Sequence, residues 1–441
     1  SYLFFRRVTQ YKSSAFIAFT ALAFSTVYLS HLRQAGLISF IYLMPWALLS
    51  IFKLLEEEKP VYIISTAFIL GIYATTPYSI FSLTFILVLL VCLFLTKGLP
   101  LSGLRVFLRE WKCTLLAAEV FILTALRSLS LHLMQRDGMV LTILKEVSNE
   151  ARSYWGDFLI LFTPYASRRL EEVYFYHSEG FLYLGLLPLF LSFFGILFSR
   201  HRYKIGFMIA GAIILSLMFG KDFYTYQLFK RFIPFFSFIR NMHMFSPFFI
   251  FIAAFFSALG ADGLFKRISE GRKPGLSFAV SALFVTAASI ASLVIVLNIS
   301  AAAVEAKKII ESITNILLFL SAAAAVYLMS KRKDISVRGT GTVIVFFILI
   351  DLFTFNHHFI AIVTKKRDDK AVPVASTAFV YKDKRSFHLA PSKDFTFLWP
   401  SLKKEFAAVF PPEHYGSHFF ETKHFYRLRK SALEQDILDS W

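Results

Sequence analysis

The feature that most limits how this chain can fold is a succession of about eleven apolar runs, cut apart by clusters of Lys and Arg. Each run is roughly 16 to 22 residues long, enough at 1.5 Å per residue to cross a hydrocarbon core about 30 Å thick. The runs fall at residues 13–30, 36–52, 60–75, 78–96, 113–133, 181–198, 205–219, 245–264, 276–297, 313–328 and 342–359. Residues 74–77 join the third and fourth as either a tight helical hairpin or two half-membrane pieces. With 441 residues, 56% hydrophobic, 53 Phe, only 17% charged and a mean hydropathy of +0.60, the chain carries more apolar surface than a soluble fold can bury. An all-α polytopic membrane protein with about 11 transmembrane helices is the fold class this implies.

Orientation follows from Lys and Arg in the loops. With the first residues inside, one set of loops collects 20 of them, among them Arg6, Arg7, Lys59, Arg109, Arg202, Lys266 and Arg338, against 12 in the opposing set. This predicts a cytoplasmic N-terminus and an extracytoplasmic C-terminus. The formal net charge of +18 is spread over these turns and the tail. Topology and anionic headgroups of membrane lipids account for it, and no nucleic-acid partner is expected. Cys92 and Cys113 lie in or beside apolar runs with no metal-ligand spacing, so neither a disulfide framework nor a metal site is expected. Position one is Ser1, and SYLFFRRVTQYK reads as the end of an earlier helix and its cytoplasmic exit, with no signal peptide. The last residues, SALEQDILDSW, stop inside a helix-like stretch. The chain thus reads as incomplete at its N-terminus and truncated at its C-terminus.

Two long extracytoplasmic loops interrupt the transmembrane domain of residues 1–360. The loop at 134–180 sets Asp157 and Glu179 among Trp155, Tyr165, Tyr174 and Tyr176. Flat rings beside carboxylates suit a sugar face, and they equally suit an interfacial aromatic belt. The loop at 220–243 is rich in Phe and Tyr and is expected to lie partly in the interface as short amphipathic helices. Lys230, Arg231, Arg240 and His243 within it are candidates to hold a phosphate, because guanidinium groups offer paired donors and hydrocarbon screens charge weakly. Lys230 and Arg231 also read as snorkelling cations, whereas Arg240 directly precedes an apolar run. Arg127 and Asp351 are intramembrane polar residues that should face a partner, for Asp351 an Arg or His elsewhere in the bundle. Asp262 with Gly263 is expected to begin a cytoplasmic turn, and His357 and His358 to mark the outer end of the last span.

The segment FLYLGLLPLFLSFFGILF, followed by a basic loop, another span and LFKRFIPFFSFIRNMHMFSPFFIFIAAFFSALGADG, resembles the YfhO-like bacterial membrane proteins of the GT-C superfamily of glycosyltransferases. Tyr183, Gly185 and Pro188 match the family's Tyr-x-Gly-x-x-Pro-like start of a span. Ile233, Pro234, Arg240 and Phe245 match part of its Pro- and Arg-containing element, and Ala258, Gly260, Ala261 and Gly263 echo its small-residue ending. Met242 and Met244 stand where the pattern has Pro and a second Arg, which leaves Arg240 with His243 as a substitute. The likeness covers most of residues 1–265.

The resemblance implies a GT-C-like fold in a bacterial cytoplasmic membrane. It also implies inverting transfer of a sugar from a polyprenyl-phosphate donor to an extracytoplasmic cell-envelope glycan or protein acceptor. In such enzymes an acidic general base, lying in a loop upstream of this sequence, removes the acceptor proton while a bound divalent cation or an Arg stabilises the departing phosphate. On this reading Arg240, His243 and Arg231 hold the donor phosphate, and Asp157, Glu179, Trp155 and Tyr183 contact acceptor or sugar. Residues 361–441, with five Pro and short alternating runs, suggest a small extracytoplasmic α/β tail without a catalytic motif. The alternatives are a transporter or flippase of lipid-linked sugars, or a non-catalytic envelope-assembly scaffold.

Overall fold

The computed structural model describes residues 1–31, 35–74, 79–96, 98–99, 105–136, 158–165, 182–220, 223–232, 236, 242–272, 275–299, 306–332 and 336–368. Among them there is no strand. In chain order the helices are α1 (Tyr2–Val8), α2 (Lys12–Ala23), α3 (Thr26–His31), α4 (Ala35–Glu57), α5 (Val61–Ala74), α6 (Ser79–Leu95), α7 (Arg105–Arg109) and α8 (Trp111–Arg136). They continue as α9 (Leu186–Phe198), α10 (Lys204–Met218), α11 (Tyr224–Phe232), α12 (Ser246–Ser269), α13 (Gly275–Ile299), α14 (Ala306–Lys331) and α15 (Val337–Asp368). Every apolar run coincides with one or more of these helices. Four segments are long and apolar enough to cross a membrane, namely Met242–Ser269, Gly275–Asn298, Lys308–Lys331 and Val337–Asn356. On length and composition the chain is a membrane-embedded helical protein.

Two compact units divide the chain. One comprises Ser1–Leu129, Arg152–Arg168 and Ser178–His357, the other Ser130–Ala151, Arg169–His177 and His358–Trp441. The first holds the core and all of the polar clusters below. Of the second, the last turns of α8 and α15 are described. Helix continues to Asp368, past the boundary expected at 360, and the α/β tail lies outside the described residues.

The core forms around α12, whose Phe side chains meet rings from several other segments, among them α1, α6 and α10. Phe248 stacks on Phe85 with centroids 4.8 Å apart, and Phe251 contacts Phe4 and Phe5 of α1 at 5.3 and 5.6 Å. Helix α9 lies closest to α12, because each offers small residues where the other's backbone approaches. A Cβ on Gly195 would sit 2.2 Å from the Phe256 carbonyl oxygen, and one on Gly260 1.9 Å from that of Leu191. Ser192 Oγ donates to the Ala253 carbonyl at 2.7 Å across the same seam. Small residues that admit backbone contact and interhelical hydrogen bonds are how helices bind in lipid. Ser192 meets Ala253 while Phe194, further along α9, lies against Gly263 and Arg267, so α9 and α12 run parallel and begin at the same end. By contrast α13, α14 and α15 leave large apolar side chains such as Leu283, Leu317 and Phe346 exposed, which suits contact with lipid.

Basic loops converge at one end of this unit. Glu56, at the end of α4, accepts from Arg7 at 3.0 Å and from Arg202 and the Tyr203 hydroxyl. Glu57 pairs with Arg7 at 2.9 Å. Partly buried His201, in the loop joining α9 to α10, has its pKa lowered to about 4, first by desolvation and then by the neighbouring Arg202 charge. Asp262 belongs to this end too, but not as the start of a turn. Helix α12 continues beyond it to Ser269, and its Oδ1 accepts the backbone N–H groups of Gln10 and Tyr11, both at 2.9 Å. The carboxylate therefore anchors the turn that leads into α2, satisfying two backbone donors ahead of the helix.

The first apolar run is not one helix. It breaks at Phe24 and Ser25, and the N–H of Thr26 donates to the Tyr183 carbonyl at 3.1 Å instead of to its own helix. The run at 181–198 likewise begins its helix only at Leu186. Ser25, Thr26 and residues 182–185 are buried, although the Phe24 side chain faces outward, and burial in protein is where non-helical backbone is tolerated at membrane depth.

Candidate functional site

At the end of the bundle opposite the basic loops, the far end, two side chains of α15 seal the irregular segments. Asp351 Oδ1 accepts the Tyr183 hydroxyl at 2.5 Å, and its Oδ2 accepts the N–H of Leu186 at 3.0 Å. Asn315 Nδ2 of α14 donates to the Tyr183 hydroxyl oxygen at 2.8 Å. Gly185 makes this geometry accessible, because its φ of +98° lies where side chains are strained and a Cβ there would stand 3.1 Å from Asp351 Oδ2. One turn along α15, Asn356 Nδ2 donates to the Phe24 carbonyl at 2.7 Å, while its Oδ1 accepts the Thr26 hydroxyl at 3.2 Å. The rings of Tyr165 and Tyr183 both close edge-on over Phe355, at 5.3 and 5.0 Å.

The result is a buried polar cluster. Tyr183 is fully buried, and Asp351 and Asn356 are nearly so. The carboxylate takes a phenol and a helix N-terminal N–H in place of the Arg or His expected as its partner, and among the described residues it forms no ion pair. A helix N-terminus carries partial positive charge, which offsets part of the cost of a buried anion. Chemically the cluster is a carboxylate that two donors hold in place, able to accept a proton.

The described phosphate candidates, Lys230, Arg231 and His243, lie at the same end. His243 is buried in a short 3-10 turn, Met242–Phe245, that leads directly into α12. The turn is anchored by Phe245 against Phe81 at 5.1 Å, with Met244 fully buried beside it. Arg231 and Lys230 are exposed on α11, the amphipathic helix expected in this loop, with the Arg231 guanidinium 5.8 Å from the Phe232 ring centre. Arg240, Trp155, Asp157 and Glu179 lie outside the described residues. Arg127 is in α8 and His357 and His358 are in α15, but their side chains also lie outside them.

Two of the singled-out residues, Tyr183 and Asp351, are thus brought into direct contact. Asn315, Asn356 and Thr26 complete the cluster and were missed. Asparagines within apolar runs are the signal that could have found them, since a polar amide at membrane depth needs a partner. Among the described residues no three His, Cys, Asp or Glu groups converge on a point that could hold a metal ion.

No protein-family model, curated protein or solved structure matches the chain.

Proposed function

We propose that the chain acts on a lipid-linked sugar at the far end of the bundle, as an integral-membrane glycosyltransferase of the GT-C type. It would move a sugar from a polyprenyl-phosphate donor to an extracytoplasmic cell-envelope acceptor. The observation that carries this reading is the start of α12, where buried His243 follows the exposed Lys230 and Arg231 of α11 at the end that also holds the Tyr183–Asp351 cluster. Cations at the edge of a membrane-length helix suit a phosphate that arrives with its lipid chain still in hydrocarbon. Arg240, His243 and Arg231 would hold that phosphate as its bond to the sugar breaks, and Asp157, Glu179 and Trp155 would meet acceptor or sugar. Tyr183, being buried, enters the scheme by positioning Asp351.

The test is binding of a radiolabelled polyprenyl-phosphate sugar to the purified chain, followed by transfer to an envelope-derived acceptor. Arg240→Ala and His243→Ala should each abolish donor binding while leaving helicity intact. Full binding by both variants would remove the phosphate site from this end.

A second reading, transport of lipid-linked sugars, is favoured by Asp351 itself, because an intramembrane carboxylate without a cation is a common mark of proton-coupled movement. Passage of a fluorescent lipid-linked sugar across vesicles containing the chain, without product formation, would select it.

A further inference from the structure

The far end contains a second polar group that the scheme above does not use. Tyr28 of α3 is 2% exposed, and among the described residues its hydroxyl has no hydrogen-bond partner. Phenols that are buried normally find one, and an unmet hydroxyl costs about 1–3 kcal/mol. Neighbouring helices add polar atoms around it. Tyr73 of α5 is within electrostatic reach of Tyr28 and hydrogen-bonds through its side chain to Ser82 of α6. Tyr42 of α4 stands edge-on to Tyr28, with ring centres 5.9 Å apart. Thus α3, α4, α5 and α6 each bring one hydroxyl to the same neighbourhood.

Tyr42 also gives this neighbourhood a lipid-facing side. It is 38% exposed, and Trp46, one turn further along α4, is 49% exposed. The Tyr42 ring thus both packs on Tyr28 and reaches the outside of the unit. A ligand that displaces this ring arrives from the bilayer, and a buried hydroxyl donor calls for an oxygen acceptor.

We propose that Tyr28 donates its hydroxyl to a phosphate oxygen of a lipid head that enters past the Tyr42 ring, with Tyr73 and Ser82 supplying the adjoining hydroxyls. The site rests on the lipid-linked substrate of the preceding section and extends it, adding neutral donors that position the head group beside the charged residues before α12. Neutral phenols suit this place, because they bind phosphate oxygens without the desolvation cost of another buried charge.

The experiment uses the whole chain in detergent micelles, with polyprenyl phosphate, polyprenol and inorganic phosphate as separate probes. Tyr28→Phe should unfold at the wild-type temperature or above it when no probe is present, because an unpaired hydroxyl has been removed. Its affinity for polyprenyl phosphate should fall about tenfold or more, the loss expected for a hydrogen bond to a charged group. Polyprenol should bind the wild type and the variant alike. An equal loss with inorganic phosphate would support the site with a free anion as its source, and a loss confined to polyprenyl phosphate would assign it to the lipid head. A lower unfolding temperature of Tyr28→Phe without probe would show a structural partner such as an internal water, and would overturn the proposal. So would unchanged affinity in Tyr28→Phe when His243→Ala weakens binding, an outcome that leaves the lipid-phosphate reading standing. Failure of the wild type to bind polyprenyl phosphate would remove both.

Discussion

Replacing Gly260 by alanine tests whether the α9–α12 seam is held by backbone contact. The added Cβ would meet the Leu191 carbonyl oxygen at 1.9 Å, and ordinary contact begins at 3.4 Å, so the helices must part by about 1.5 Å. Rotamer changes offer no escape, because the obstacle is backbone. A uniform separation of that size carries the Ser192 Oγ–Ala253 bond from 2.7 Å to about 4 Å, beyond hydrogen-bonding range. Overpacking costs about 1–3 kcal/mol, and an interhelical hydrogen bond in lipid contributes about 0.6 to 1.7, so the variant should lose about 2–4 kcal/mol. Gly263→Ala is the internal control. Its Cβ would find only Phe194 Cε1 at 3.7 Å, so alanine's helix propensity should leave that variant unchanged or more stable by up to about 1 kcal/mol. Equilibrium unfolding in mixed micelles, followed by helicity, compares the two. Stabilities within about 0.5 kcal/mol of each other would refute the close-contact argument.

Three further outcomes follow from the polar clusters. Gly185→Ala should cost at least about 1–2 kcal/mol by the same unfolding assay, since its φ of +98° strains any Cβ and the new atom would press on Asp351 Oδ2. Asp351→Ala should cost about 2 kcal/mol or more, because the Tyr183 hydroxyl and Leu186 N–H both lose their acceptor, and Asp351→Asn, which keeps one acceptor oxygen, should cost less. His201, lowered from 6.5 to about 4, binds fewer protons folded than unfolded between those values. Its contribution, no more than about 3 kcal/mol, is therefore complete above pH 6.5 and is lost as pH falls toward 4, and His201→Asn should flatten that part of a stability–pH curve.

Much of the helical layout was legible because apolar run length and basic punctuation are local properties. The runs at 60–75, 78–96 and 205–219 lie within two residues of α5, α6 and α10 at each end. What escaped was set by distant partners. Nothing around Phe24 and Ser25 breaks a helix by itself, and the break is held by the Tyr183 carbonyl and Asn356. The Asp262–Gly263 pair has the composition of a turn, yet its carboxylate anchors the turn into α2 some 250 residues earlier. Tyr183, Gly185 and Pro188 stood out as a motif, but Asp351, which gives the glycine its purpose, is 165 residues from Leu186. Tyr28 gave no signal at all, because an orphaned hydroxyl exists only once four helices have come together.

The parallel course of α9 and α12 has a consequence for biosynthesis. Ser192 emerges from the ribosome 61 residues before the carbonyl it bonds, so α9 must enter the bilayer with its small-residue face unclaimed. Tyr183 waits longer still, since its carboxylate partner is made 168 residues later. Until α15 arrives, the broken backbone at Phe24 and at Gly185 has no clasp, and the nascent bundle is most open to quality-control proteases and to unwanted helix partners. A stop codon ahead of Asp351 would therefore leave most of the helices inserted but unlocked, which makes the final span the step that commits the chain to its native arrangement.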